Sequence, residues 1–180
     1  MKYLRRLVWY LASRLLVITI VAGLMVVTFY YAMNLANIQV VLKDGMARRA
    51  QVVMMNESAA DLTRYFQTAF LERDQALIAV QQGQSPYVDY NVRGIDHRLS
   101  MGFTWLWPWD ETARVDITES IPRIDGRVKG SRADALLALH GESALYPPSW
   151  RSARYRATLV KENGHWRVKS LVLLEELNQN

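Results

Sequence analysis

Arg154–Leu171 reads RYRATLVKENGHWRVKSL, and this stretch decides how the C-terminal part of the chain folds. Two runs of alternating character, Arg154–Lys161 and His165–Leu173, flank Glu162-Asn163-Gly164. A two-residue type I′ turn needs positive φ at both central positions, which Asn and Gly tolerate best, so Asn163-Gly164 predicts a tight β-hairpin. With that turn fixed, Leu159 faces Val168, Ala157 faces Ser170 and Tyr155 faces Val172 on the core side. The other side pairs Val160 with Arg167, Thr158 with Lys169 and Arg156 with Leu171, basic near the turn and more apolar away from it.

Working back from the hairpin, Pro147-Pro148 bounds this unit, and SRADALLALH (131–140) predicts a short helix capped by Ser131 and ended by Gly141. Asp125-Gly126 marks a turn. Ala113, Val115 and Ile117 alternate with Arg114, Asp116 and Thr118, a strand reaching Pro122. From Ile95 to Trp109 the odd positions are apolar except His97, which predicts a long half-buried strand with its odd face in the core, closed by Pro108 and Asp110. Tyr87–Val92 reads as a further strand. Ser58 with Asp61 forms a capping-box pattern for a helix whose Leu62, Tyr65, Phe66, Ala69, Phe70 and Leu77 share one stripe, ended by Ser85-Pro86.

The first third of the chain is different in kind. No charged residue occurs from Leu15 to Leu42, and Leu15–Met33 (LLVITIVAGLMVVTFYYAM) is strongly apolar. At ~1.5 Å per residue it spans ~28 Å, close to the hydrocarbon thickness of a bilayer. Trp9 and Tyr10 precede it and Tyr30 and Tyr31 close it, the placement of an interfacial aromatic belt. Lys2, Arg5, Arg6 and Arg14 favour a cytoplasmic N-terminus over the Lys43, Arg48, Arg49 side, which also carries Asp44. The apolar run exceeds a signal-peptide core and lacks a small-x-small site after it, so an uncleaved anchor is expected. Residues 34–55 keep helical spacing at Leu35, Ile38, Leu42, Met46 and Val53, read as a stalk weakened at Gly45. The division expected is thus a cytoplasmic tail (1–14), a transmembrane helix (15–33), a juxtamembrane helical stalk (34–57) and an extracytoplasmic α+β domain (58–180).

A helix, a curved antiparallel sheet and a closing strand with Gly164, Trp166 and Val168 in a G-x-W-x-V pattern resemble the nuclear transport factor 2-like fold over roughly Ser58–Leu174. The resemblance implies a cone-shaped sheet packed on helices, a fold that hosts enzymes, ligand binders and scaffolds alike. A short tail, one membrane helix and such a domain are also similar in architecture to scaffold subunits of bacterial type IV secretion and conjugation machines.

Net charge is +5, but residues 1–55 carry +6 and residues 56–180 carry −1, so the basic balance belongs to the membrane-proximal segment and does not point to nucleic acid. The chain has no cysteine, which excludes disulfides and thiol chemistry. The three histidines have no metal-ligand spacing, and neither a metal nor a cofactor is expected. Tyr90, His97 and Trp105 are the candidate lining of a cone cavity. Asp96 adjoins His97 but points to the opposite face of one strand, so a His–Asp proton-transfer pair is not expected and no catalytic residue is assigned. Phe103–Trp109 reads as core filling by its odd positions, with Trp107 and Trp109 also suited to a partner or membrane interface. Residues 123–169 hold ten basic against four acidic side chains, and Arg154, Arg156, Arg167 and Lys169 are candidate contacts to an acidic partner or membrane. The expected function is a non-enzymatic, membrane-anchored assembly protein contacting other membrane proteins, with self-association open; a small-molecule-binding domain with an apolar cavity is the alternative, and an enzyme ranks a distant third.

Overall fold

The structure, a computed structural model, describes residues 2–177. One helix, α1 (Lys2–Met55), runs unbroken for 54 residues and changes environment halfway along. It is long and apolar enough to cross a membrane, and none of its most apolar window is buried in the protein. From Asn34 onward one stripe turns inward: Asn34, Ile38, Leu42, Met46, Ala50 and Val53 are buried. The spacing of 34–55 was expected to form a stalk; instead this segment is the helix around which the rest of the chain folds. Helical periodicity says that one face is covered, not by what, which is why a stalk and a core helix look alike in sequence.

The cover is a four-stranded antiparallel sheet in the order β2 (Arg98–Met101), β3 (Thr112–Ser120), β5 (Ala153–Glu162), β6 (His165–Glu176). A separate two-stranded sheet pairs β1 (Tyr90–Ile95) with β4 (Ile124–Val128). Ala113, Val115 and Ile117 of β3, Ala157 and Leu159 of β5, and Trp166 and Val168 of β6 are buried on the helix side, in one cluster with Leu62, Phe66 and Leu77. The fold is therefore mixed α+β, with a long N-terminal apolar helix and antiparallel sheets.

The single helix expected after Ser58 is three short pieces: a 3₁₀ turn at Ala60–Arg64, α2 (Thr68–Leu71) and α3 (Gln75–Gln81). Between them the backbone pairs with the last strand, Val168 N–H donating to Tyr65 O at 2.7 Å and Gln67 N–H to Val168 O at 2.9 Å, which a continuous helix forbids. Gly45 admits this segment to the face of α1. A Cβ there would lie 2.8 Å from Tyr65 Cβ and 3.3 Å from a Phe66 ring carbon. Gly45→Val is expected to destabilise the domain by about 1–3 kcal/mol despite better helix propensity, read as a lower denaturation midpoint.

The hairpin has the turn expected, with φ of 50° at Asn163 and 80° at Gly164. Val160↔Arg167 and Leu159↔Val168 pair as anticipated, but the register then shifts: Thr158 opposes Ser170, Ala157 opposes Leu171, Arg156 opposes Val172 and Tyr155 opposes Leu173. Lys169 is the extra residue. Such a bulge bends a strand and increases its twist, and a sheet wrapped over a helix needs both.

Three other expectations change. The Ile95–Trp109 strand is broken up: Ile95 closes β1, Arg98–Met101 form β2, and residues 102–111 leave the sheet as a loop whose even positions Thr104 and Leu106 are buried while its odd aromatic positions face outward. Asp125-Gly126 lies inside β4 rather than in a turn; a Cβ at Gly126 would meet Asn91 O at 2.9 Å and Val92 Cα at 3.0 Å across the strand pair. The helix α4 (Gly130–His140) forms where expected and ends at Gly141 with φ 73°, but Lys129, not Ser131, is its N-cap.

Candidate functional site

The most unusual chemistry lies buried between α1 and the sheet. Glu119 occupies the inward face of β3 after Ala113, Val115 and Ile117, is wholly buried, and its Oε1 is 3.0 Å from His97 Nε2. Its Oε2 has no hydrogen-bond partner among the described residues. Across the core, Arg49 of α1 donates to both carboxylate oxygens of Asp74, at 2.5 and 3.0 Å, and Asp74 Oδ1 also accepts from Ala76 N–H as the cap of α3. Burial works against the Arg49 charge, but the Asp74 bond and the nearby Asp74 and Glu119 carboxylates more than offset it and raise its pKa. Tyr155 joins the same cluster: burial, followed by the Glu119 charge, pushes its phenol up.

Asp96 and His97, expected on opposite faces of one strand, lie instead between β1 and β2, where Asp96 binds Arg98 at 2.7 Å and His97 meets Glu119. Two members of the cluster were not anticipated: Glu119, the one charged residue on the inner alternation of β3, and Arg49, seven residues after buried Leu42 on the same face of α1. A carboxylate-held imidazole is the arrangement of a general base, but base catalysis also needs substrate within reach. A cavity lies elsewhere in the domain, away from His97 and Glu119.

That cavity, about 320 Å³, sits between Val53–Asn56 at the end of α1 and β1, lined also by Tyr87, Tyr90 and Lys129. Neither His97 nor Trp105 lines it, so the three residues expected to share a cavity are not brought together. Tyr90 donates to Ala144 O at 3.1 Å. Burial pushes the Tyr87 phenol up to about 12. A phenol whose folded pKa exceeds its ordinary value of 10 favours the folded state below pH 10 and loses that contribution as pH rises toward 12. The unfolding midpoint is therefore expected to fall across that window, and Tyr87→Phe should flatten the fall.

The basic residues of the hairpin lie mostly on the outer sheet face. Arg156 donates to both Asp116 oxygens at 2.8 and 3.0 Å and Arg154 lies 3.6 Å from the same carboxylate, while Arg167 is 3.2 Å from Glu162. The Arg156 bonds hold the Asp116 carboxyl below its usual range. Lys169 is exposed at the bulge. Arg114, Arg154, Arg156, Val172 and Leu174 share one open groove on this face.

Trp105, Trp107 and Trp109 belong to the loop 102–111, at the end of the domain where α1 emerges. Tyr31 donates to Thr104 O at 3.1 Å, Asn34 Nδ2 lies 3.5 Å from Pro108 O, and the Trp105 ring packs on Tyr31 with centroids 5.4 Å apart. Asn34 is only 2% exposed, and its Oδ1 also accepts from Trp166 Nε1 at 3.4 Å and Lys161 Nζ at 3.5 Å. Helix, loop and hairpin thus meet at one side chain. Among the described residues no group of three or more His, Asp or Glu is placed to hold a metal. No family model, no curated protein and no solved structure gives a significant match to this chain.

Proposed function

We propose that the chain is a bacterial membrane-anchored assembly subunit whose domain, on the extracytoplasmic side, docks other membrane proteins. One observation carries the reading: the apolar helix has no linker after it and continues as the core helix of the domain. A domain so joined is held at a fixed height and orientation over the bilayer, which suits a scaffold. The basic flank Lys2–Arg14 supports a cytoplasmic N-terminus.

The finer fold reading, a nuclear transport factor 2-like cone, is supported by a buried helix lying under a bent four-stranded sheet and by Trp166 and Val168 on the inner face of its last strand. The docking surface is the outer sheet face around Arg154 and Arg156. Crosslinking in native membranes followed by gentle extraction should recover a discrete set of membrane proteins, and Arg154→Glu with Arg156→Glu should lose them while the chain stays folded and inserted. Recovery of the chain alone would overturn the reading. The cavity walled by Tyr87 and Tyr90 favours a second reading, a small-molecule-binding domain, in which the chain purifies alone with a bound compound.

A further inference from the structure

The loop 102–111 presents an apolar surface that packing does not account for. Phe103 is 87% exposed, Trp105 61%, Trp107 44% and Trp109 69%, whereas Thr104 and Leu106 between them are buried. The rings form a ladder that starts at α1: Tyr31 to Trp105 at 5.4 Å, Trp105 to Trp107 at 5.4 Å edge-on, and Trp107 to Trp109 at 5.2 Å, stacked. Exposed side chains do not form such a series by covering a core. Asp110 Oδ2 accepts from Trp107 N–H at 2.7 Å and pins the turn that stacks the last two rings.

What these rings meet follows from where the loop is tied. Its anchor points on α1 are Tyr31 and Asn34, consecutive turns at the end of the apolar run Leu15–Met33. With Thr104 and Pro108 both held to α1 there, the ladder stands at the level where that run ends. If the run spans a bilayer, this level is the headgroup boundary on the domain's side, whichever side that is. Indole rings, apolar with one N–H donor, partition to that boundary. The loop contains no Lys or Arg, and Asp110 and Glu111 follow the tryptophans, so the loop itself brings no cation to anionic headgroups.

We propose that Trp105, Trp107 and Trp109 form a lateral membrane foot, seated in the lipid headgroup boundary beside the helix and recognising zwitterionic lipid through aromatic partitioning. The proposal rests on the anchoring of α1 in the bilayer. With the Asn34 junction, the foot gives the domain a second point of attachment and fixes its rotation about the helix axis.

The test exploits the absence of cysteine. Trp107→Cys, Trp109→Cys, Met25→Cys and Leu139→Cys each give the full chain one nitroxide, in vesicles of phosphatidylcholine alone. Met25 lies mid-run and Leu139 is 74% exposed on α4. At 107 and 109, collision with a water-soluble nickel chelate should be several-fold lower than at 139, and collision with lipid-dissolved oxygen should approach that at 25, without change in high salt. Labels at 107 and 109 as open to nickel as 139, with 25 still shielded, would overturn the foot and leave the anchor standing. Shielding at 107 and 109 from both agents would also overturn it, because protein rather than lipid then covers the loop. Nickel access at 25 would sink the anchor and the foot together.

Discussion

A chain beginning at Ser58 is expected not to fold, although sequence reading starts the domain there. Such a chain lacks Ile38, Leu42, Met46, Ala50, Val52, Val53 and Met54, all buried in the cluster that the sheet closes over. Burying one large apolar side chain contributes about 1.5–3 kcal/mol, and a whole domain has only about 5–15 kcal/mol of net stability. Losing the six large ones together removes about 9–18 kcal/mol, as much as that whole margin or more. Arg49 leaves with the same segment, so Asp74 would remain without its cation. A chain beginning at Tyr30 keeps this helix face and the Asn34 junction, and it should unfold cooperatively by near-ultraviolet circular dichroism. The shorter chain should give no cooperative transition.

Arg49→Met is the most damaging single change expected outside the apolar core. The Arg49 side chain is 13% exposed and that of Asp74 4%, and wholly buried Glu119 adds to the field that holds the arginine charged. Removing the cation leaves buried carboxylate with no compensating charge, and breaking such a pair from one side costs about 3–5 kcal/mol. Asp74→Asn in the same chain should restore a large part of the loss, because the amide needs no counter-charge and its oxygen can still accept from Ala76 N–H. Equal midpoints for the single and double variants, in urea titrations of the detergent-solubilised chain, would show that the ion pair itself carries little.

Local chemistry was legible where it is self-contained. The Asn163-Gly164 turn, the helix at 130–140 and the apolar run Leu15–Met33 each declare themselves within about twenty residues. What could not be read depends on partners far away in sequence. The hairpin register fails only past Lys169, because a bulge is set by the helix that β6 must bend over. The aromatic alternation at 103–109 is real, but its inward face is Thr104 and Leu106, a choice made by Tyr31 and Asn34 more than seventy positions earlier. The buried charges are a mixed case. Glu119 interrupts an apolar alternation and could have been noticed, whereas its pairing with His97 rests on strand order.

Hydrogen exchange of the full chain in lipid nanodiscs, followed by mass spectrometry, separates a rigid junction from a flexible one. Amides from 15 to 55 should be protected without interruption, and under increasing denaturant those of 34–50 should lose protection together with β3 and β5 while those of 15–33 persist. Exchange within seconds across 34–45 under native conditions would mean that a loose linker joins the apolar helix to a domain folding without it, and would contradict the continuous core helix on which the scaffold reading depends.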